Sequence, residues 1–471
     1  MSRALLLLCV LAGCGGGATP DGGGVLPNVV LIVADDLGWN DVGYQGGSIP
    51  TPHIDRIATE GLALGRFYTA VNCSPTRMGL FTGRYPIRWG LMNTVVRPWD
   101  ARGLPPEETT LAELFGGLGY EHRALIGKWH LGCASRDLHP LRQGFTRFQG
   151  HYTGYIDYFD HTREGERDWH RDFEPFEEQG YSTDLIADAA VRFVREHASA
   201  GPFLLCVAFN APHFPPQAPA AYVERFGGVA DERRRVYAAM VSCMDDGVGR
   251  IRAALDEAGV GDDTILWFLS DNGGAPAWGA SNAPLRGEKS TVFDGGIRVP
   301  SAVRWPRGGL TGGRTVEELV AYVDVLPTLL AAAGTDASPP RPLDGVDVLD
   351  VLRGRASEPE RDLFAYASLR TGQAATGGEG LAVTTRDWKL VRFGPRFDRD
   401  PDGERSALAL FRIREDPGET ANVADEHPAV VQELLGRLRA FRALRPADAG
   451  EASPSEPPAG WSPPPRWRVP E

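Results

Sequence analysis

The chain has 471 residues, enough for one large α/β domain and a smaller one, and its 42% hydrophobic and 24% charged content is that of a folded globular protein. A formal net charge of −13 argues against nucleic acid as a partner, because a nucleic-acid binder needs a basic face.

The N-terminus reads as a targeting segment. Arg3 precedes the apolar run Ala4 to Ala12, which is too short to span a bilayer. Leu11-Ala12-Gly13-Cys14 resembles a bacterial lipobox, with Cys14 as the lipidated first residue of the mature protein. The expectation is a lipoprotein signal over 1–14 and a glycine-rich tether over 15–26. The protein would be exported to the periplasm or cell surface and anchored to the membrane through Cys14. An ordinary signal peptide cut near Gly13 is the alternative. No later segment is long and apolar enough to cross a membrane.

Four short apolar runs read as buried strands of a parallel sheet: Val29 to Val33, Arg123 to Ile126, Phe203 to Phe209 and Thr264 to Leu269. Helical spacing falls between them. Leu111, Leu114, Phe115 and Leu118 share one face, as do Leu185, Ala189, Phe193 and Val194. Alternating strands and helices predict a doubly wound α/β domain.

The residues just past each strand carry the chemistry. The first run leads into Asp35-Asp36 and the second into Gly127-Lys128-Trp129-His130. The third leads into Asn210-Ala211-Pro212-His213 and the fourth into Asp271-Asn272-Gly273. Ligands of open α/β sheets bind outside the carboxyl ends of the strands, so these polar groups are expected to converge on one rim. Taken singly, an Asp after a strand is an ordinary turn or cap residue; the repetition at four edges is what points to a site. Asp35, Asp36, Asp271 and Asn272 offer only oxygen donors, which suits a hard cation such as calcium or magnesium and not zinc.

Between the first two runs lies Cys73-Ser74-Pro75-Thr76-Arg77, followed by Thr82-Gly83-Arg84. Pro75 suits the first helical position and Ser74 the cap before it. Cys73 would then face the positive end of a helix, where anions bind. The remaining cysteines are Cys9 in the signal, Cys14, and Cys133, Cys206 and Cys243. Their spacing matches no zinc pattern, and Cys206 sits in an apolar run as a buried thiol.

These segments together resemble the type I sulfatase family. C-x-P-x-R with T-G-R matches its signature, and Asp35 to Gly38 and Asp271 to Gly273 are similar to its metal motifs. Gly127 to Gly132 matches its G-K-W-H-L-G segment, and Leu285-Arg286-Gly287-Glu288-Lys289 resembles L-R-G-x-K. The resemblance runs in order from about Asn28 to about Pro300. It implies an alkaline-phosphatase-like sulfatase fold: a large, mixed, mostly parallel sheet with helices on both faces, plus a small antiparallel sheet with one helix.

It also implies a chemistry. A maturation enzyme would oxidise Cys73 to formylglycine, and calcium, with magnesium as the alternative, would bind Asp35, Asp36, residue 73, Asp271 and Asn272. Lys128 and Lys289 would contact sulfate, Arg77 and His130 would hold the hydrated aldehyde, and His213 would protonate the leaving alcohol. The ester would be cleaved through a sulfated enzyme intermediate that the second hydroxyl of the hydrate resolves. Within the family, Thr82 to Arg88, Gly90-Leu91 and the aromatic run Tyr155 to His161 resemble the arylsulfatase B (N-acetylgalactosamine-4-sulfatase) branch. The Gly287 to Ser290 region and Phe293-Asp294 depart from that branch. The expected substrate is a sulfated carbohydrate or an aryl sulfate. The rival readings are a formylglycine-dependent phosphodiesterase or phosphonate monoester hydrolase, and a lipoprotein that binds sulfated glycans without cleaving them.

The catalytic domain is expected over 27–350. Over 351–445 the pattern changes to short antiparallel strands at Leu363 to Leu369, Leu381 to Thr385, Trp388 to Phe393 and Leu410 to Ile413. Leu410 to Val423 is similar to the D-P-x-E-x-x-N pattern of the sulfatase C-terminal subdomain, and Val430 to Leu444 carries Leu434, Leu435, Leu438 and Phe441 at helical spacing. The proline-rich tail over 446–471 is expected to be extended or disordered, with Trp461 and Trp467 as its candidate anchors.

Overall fold

A computed structural model describes residues 26–335, 339–368, 378–400, 402–449, 454 and 456–470. The signal segment, the anchor position Cys14 and all but the end of the tether lie outside the described residues.

The four apolar runs form the centre of the sheet, as β1 (Asn28–Ala34), β2 (His122–Lys128), β3 (Phe203–Ala208) and β4 (Thr264–Ser270). They lie side by side in the order β4-β1-β3-β2, all parallel. Among the described residues the sheet has ten strands. Arg147–His151 joins parallel beside β2, and Ser301–Arg304 joins antiparallel beside β4. The sheet is therefore mixed and mostly parallel at its centre, and the family's fold is the one observed.

Both faces of these strands are covered, which is why the runs are continuously apolar rather than alternating. Val29, Leu31 and Val33 pack with Met78, Leu80 and Phe115 on one face. Val30, Ile32 and Ala34 pack on the other with Ile186 and Phe193 of helix Ser182–His197 and Met240 and Ile251 of helix Glu232–Glu257.

Register sets the level of the strand ends. Ala34 pairs with Ser270, and Ala208 pairs with Gly127. The residues just past these pairs, Asp35, Asp271 and Lys128, therefore emerge at one edge.

The C-terminal region is an antiparallel meander of Leu363–Ser368, Gly378–Thr384, Trp388–Pro395 and Ala407–Arg412. Helix Pro428–Arg442 covers it through Leu434, Leu435, Leu438 and Phe441, in the same core cluster as Val29 and Leu31. A buried ion triad also ties the meander to the main sheet. Lys389 Nζ meets Asp294 Oδ1 at 2.7 Å and Glu419 Oε1 at 2.8 Å, all without solvent exposure. Glu419 Oε2 accepts from the Asp294 amide at 2.7 Å. Glu419 is the acidic residue of the D-P-x-E segment, so that pattern fastens the subdomain down.

In the described part of the tail the two candidate anchors, Trp461 and Trp467, are both in contact with the body of the fold. Trp467 is 1% exposed, its Nε1 donates to the Arg163 carbonyl at 3.1 Å, and Trp461 meets Trp99 edge-on at 5.5 Å. Arg466 and Arg468 pair with Glu177 and Glu174. Aromatic burial reinforced by these pairs outweighs the extended bias of the prolines.

Candidate active site

The four strand ends meet. β1 delivers Asp35 and Asp36, β2 Lys128 and His130, β3 His213, and β4 Asp271 and Asn272. Asp35, Lys128, Asp271 and Asn272 are wholly buried, and Asp36, His130 and His213 nearly so. The turn out of β2 needs Gly127, at φ +110°, where a Cβ would fall 1.9 Å from the Ala208 carbonyl oxygen. Asn210 turns away instead: its amide group pairs with Ser182 Oγ and its carbonyl accepts from the Tyr158 hydroxyl at 2.6 Å.

Cys73 opens helix α1 (Cys73–Thr82), so the helix begins earlier than the predicted cap at Ser74 would have it. Asn72, in extended conformation, occupies the cap position. Ser74 lies inside the helix, where its Oγ accepts from the Val96 amide at 3.0 Å. Pro75 remains in the first turn, where it displaces no helical hydrogen bond. The serine is thus spent on fixing the Val96 segment, and that segment in turn holds His130. The His130 Nε2–H donates to the Val96 carbonyl at 3.0 Å. Since a carbonyl only accepts, Nδ1 is the bare nitrogen, and the Cys73 thiol donates to it at 3.2 Å. Burial, helped by Lys128 and Arg77, holds His130 well below the usual imidazole range. Burial also raises the Cys73 thiol, against the pull of Lys128 and Lys289.

The charges interlock. Arg77 donates through Nε and Nη2 to Asp271 Oδ2, at 2.9 and 2.8 Å, and through Nη1 to the Lys128 carbonyl at 2.9 Å. Lys128 Nζ meets Asp35 Oδ2 at 2.5 Å, and Lys289 Nζ meets Asp36 Oδ1 at 2.5 Å. The Asn272 amide donates to Asp36 Oδ1 at 2.7 Å. His213 Nδ1–H donates to the Phe214 carbonyl at 2.8 Å, which leaves Nε2 toward Asp36 Oδ2 at 3.6 Å. Burial holds His213 well below its usual range even though Asp36 pulls the other way. For Asp36, burial is outweighed by Lys289 and His213, and the carboxyl is held well below the usual range.

Asp35 is the opposite case. Burial wins over Lys128, Asp271 and Asp36 add repulsion, and the carboxyl is pushed up to about 8. Its Oδ1 has no hydrogen-bond partner, and neither has Asn272 Oδ1. Two buried, unsatisfied oxygens among three carboxylates fit a hard, oxygen-seeking cation. Asp35, Cys73 and Asp271 present ligand atoms within 4.8 Å of one another, as do Asp35, Asp36 and His213.

Above these groups lies a cavity of about 340 Å³ whose wall includes Cys73, His130, His213 and Lys289. Its outer wall adds Arg97, Tyr155, Arg163 and Trp278, which the motif reading did not single out. The aromatic run from Tyr155 hinted at one of them; Arg163 and Trp278 stand in no motif. A second cavity of about 330 Å³, beside Trp388 and Arg437, contains none of the strand-end residues.

Comparison with known proteins agrees with the arrangement. The family described as Sulfatase matches residues 27–335, and that described as N-sulphoglucosamine sulphohydrolase, C-terminal, matches 287–443. Mouse arylsulfatase J is 32% identical over 454 residues, spanning 88% of this chain and 75% of the relative. N-acetylgalactosamine-6-sulfatase of Sus scrofa is 35% identical over 453 residues, spanning 88% and 84%. The solved structure of Ps i-CgsB in complex with k-i-k-neocarrahexaose superposes with a TM-score of 0.81 at 29% identity, covering 89% of this chain and 94% of that one.

Proposed function

This chain belongs to the sulfatase family and is a sulfuric ester hydrolase, and from that premise we propose that it cleaves sulfate esters of carbohydrates at the cavity above Cys73. Position 73 would carry formylglycine, and Asp35, Asp36, Asp271 and Asn272 would hold calcium, or magnesium in its place. One observation carries this reading: the buried Cys73 thiol stands 3.2 Å from a histidine nitrogen beside two orphaned, buried oxygen donors. When bound, the cation supplies charge stabilisation, and the hydrated aldehyde supplies both an oxygen nucleophile and the second hydroxyl that frees the product.

The chain's own residues do the rest. Lys128 and Lys289 offer their ammonium groups to the negative charge spread over the sulfuryl oxygens. Arg77 keeps Asp271 in place. His130 Nδ1 is the acceptor at hand for a proton at position 73. His213 would protonate the departing oxygen through Nε2, which the bond from Nδ1 to Phe214 orients and which must first take up a proton, since burial holds the ring well below its usual range. Asp36 favours the charged imidazole that this step requires.

A carbohydrate substrate is supported by relatives named for a sulfated amino sugar and by a structural neighbour solved with a neocarrahexaose. Amino sugars sulfated at the 4-position are one candidate within that class. The phosphorus and binding-only alternatives are not favoured. We further propose export and membrane anchoring through Cys14, to be checked by loss of lipid labelling in Cys14→Ala, and conversion of Cys73 by a host maturation enzyme. The activity is tested by measuring sulfate released from sulfated oligosaccharides beside turnover of an aryl phosphate diester. Sulfate release that vanishes in Cys73→Ala supports the proposal; preferential phosphodiester cleavage contradicts it.

A further inference from the structure

Arg163 has an unusual position for a guanidinium. It sits on the short hairpin Thr162–Arg163 and Glu166–Arg167, only 9% exposed, and lines the same cavity as Cys73 and Lys289. Its guanidinium carbon lies 3.5 Å from the centroid of the Tyr155 ring. Nη2 pairs with Glu164 at 3.0 Å, while Nε and Nη1 are buried without a hydrogen-bond partner. Arg97 lines the cavity too. Burial holds Arg163 down to about 10 despite Glu164 and Asp168, and the like charge of Arg97 acts in the same direction. A fold gains nothing from leaving the buried Nε and Nη1 of Arg163 unmatched. An anion received at Arg163 would satisfy those N–H groups and offset the like charge of Arg97.

The hairpin is braced for such a role. Trp467 Nε1 donates to the Arg163 carbonyl, and the Arg466 amide donates to Glu166 at 2.7 Å. Beside the guanidinium runs an aromatic surface. Tyr155 meets Phe214 at 4.2 Å, and Phe214 stacks on Trp278 at 5.3 Å and 22°. Trp278 is 41% exposed, which is costly for an indole without a guest and suits the apolar face of a sugar ring. His213 stacks on Phe214 at 4.5 Å, so the surface is continuous with the residue that protonates the leaving group.

We propose that Arg163 is a specificity residue that receives a second anionic substituent, a sulfate or a carboxylate, on a saccharide lying over Tyr155, Phe214 and Trp278. The substrate is then a polyanionic oligosaccharide rather than a singly charged ester. This rests on the sulfatase reading of the site. An oxyanion can engage a guanidinium through two parallel hydrogen bonds, which a lysine cannot reproduce.

The test compares kcat/KM for three disaccharides carrying the same scissile sulfate: one otherwise neutral, one with a second sulfate, and one with a neighbouring uronate. Wild-type enzyme is expected to favour one or both of the doubly charged substrates by roughly tenfold or more, and the favoured arm identifies the anion. Arg163→Ala should bring that ratio toward one, and Arg163→Lys should keep part of it. No preference in the wild type overturns the proposal. So does a proportional loss on all three substrates in Arg163→Ala, which would mark a structural role. Absence of sulfate release from every substrate, by protein with converted Cys73, overturns the underlying reading as well and is seen separately.

Discussion

Arg77 and Asp271 meet through two hydrogen bonds to a single carboxylate oxygen, Nε and Nη2 both donating to Oδ2, with both side chains shut off from solvent. Asp271 Oδ1 is left facing the Asp36 amide at 3.3 Å. The arginine of the signature therefore acts on the carboxylate cluster as well as on the segment that carries Cys73. Removing it in Arg77→Ala strands a buried carboxylate, and breaking a buried pair costs about 3–5 kcal/mol. A lowered urea midpoint with an unchanged m-value would bear this out, together with loss of sulfate release. Near-wild-type stability would show that Asp271 finds another partner.

The cation reading predicts a stability increment that is independent of turnover. Protein stripped with a chelator should gain thermal stability on titration with calcium, by about 2.7 kcal/mol at a hundredfold excess over Kd. Asp35→Asn and Asn272→Ala should each shrink the increment, because they alter the two orphaned oxygens. Magnesium run in parallel decides between the ions. An unmoved melting temperature in both titrations would count against these ligands.

The triad of Lys389, Asp294 and Glu419 predicts how the C-terminal meander is held. Lys389→Met leaves two carboxylates buried against each other and should cost about 3–5 kcal/mol. Differential scanning calorimetry and limited proteolysis should then show the meander loosening first. A variant as stable as wild type would mean that the shared apolar core alone docks it.

Acid should destabilise the fold through two buried imidazoles. Burial holds His151 down to about 3, against the pull of Asp168, and His139 down to about 4. Between their ordinary value of 6.5 and these folded values, the unfolded chain binds protons that the native chain does not. The contribution of these two sites is therefore full above about pH 6.5 and falls as the pH drops, each adding a slope of roughly 1.4 kcal/mol per pH unit, while the raised Asp35 carboxyl acts in the opposite sense over the same range. His151→Gln should flatten the dependence measured by urea unfolding from pH 7 to 4. An unchanged slope would remove His151 from the account.

The centre of the fold was legible because parallel strands buried on both faces must be continuously apolar, and because register delivers their ends to one edge. Asp35, Lys128, His213 and Asp271 could thus be grouped before any coordinates. The helix cap was misread for a physical reason. Ser74 is as good a cap as Asn72 by residue type, and only the Val96 amide that claims its oxygen separates the two. For the tail, Trp467 was legible as a candidate anchor but not its partner, because proline content reports only local extension and the hairpin that buries Trp467 lies some 300 residues earlier in sequence. Arg163 belongs to no motif, and nothing local announces that Tyr155 will cover it. Long-range pairs of this kind also explain why the partner of Lys389 could not be read from its own strand.

The most direct test of the account is the mass of the tryptic peptide Phe67 to Arg77 from protein made in its native host. The account predicts conversion of the Cys73 thiol to an aldehyde, with sulfate release tracking the converted fraction. An unmodified cysteine in folded, metal-loaded and sulfate-releasing protein would contradict it.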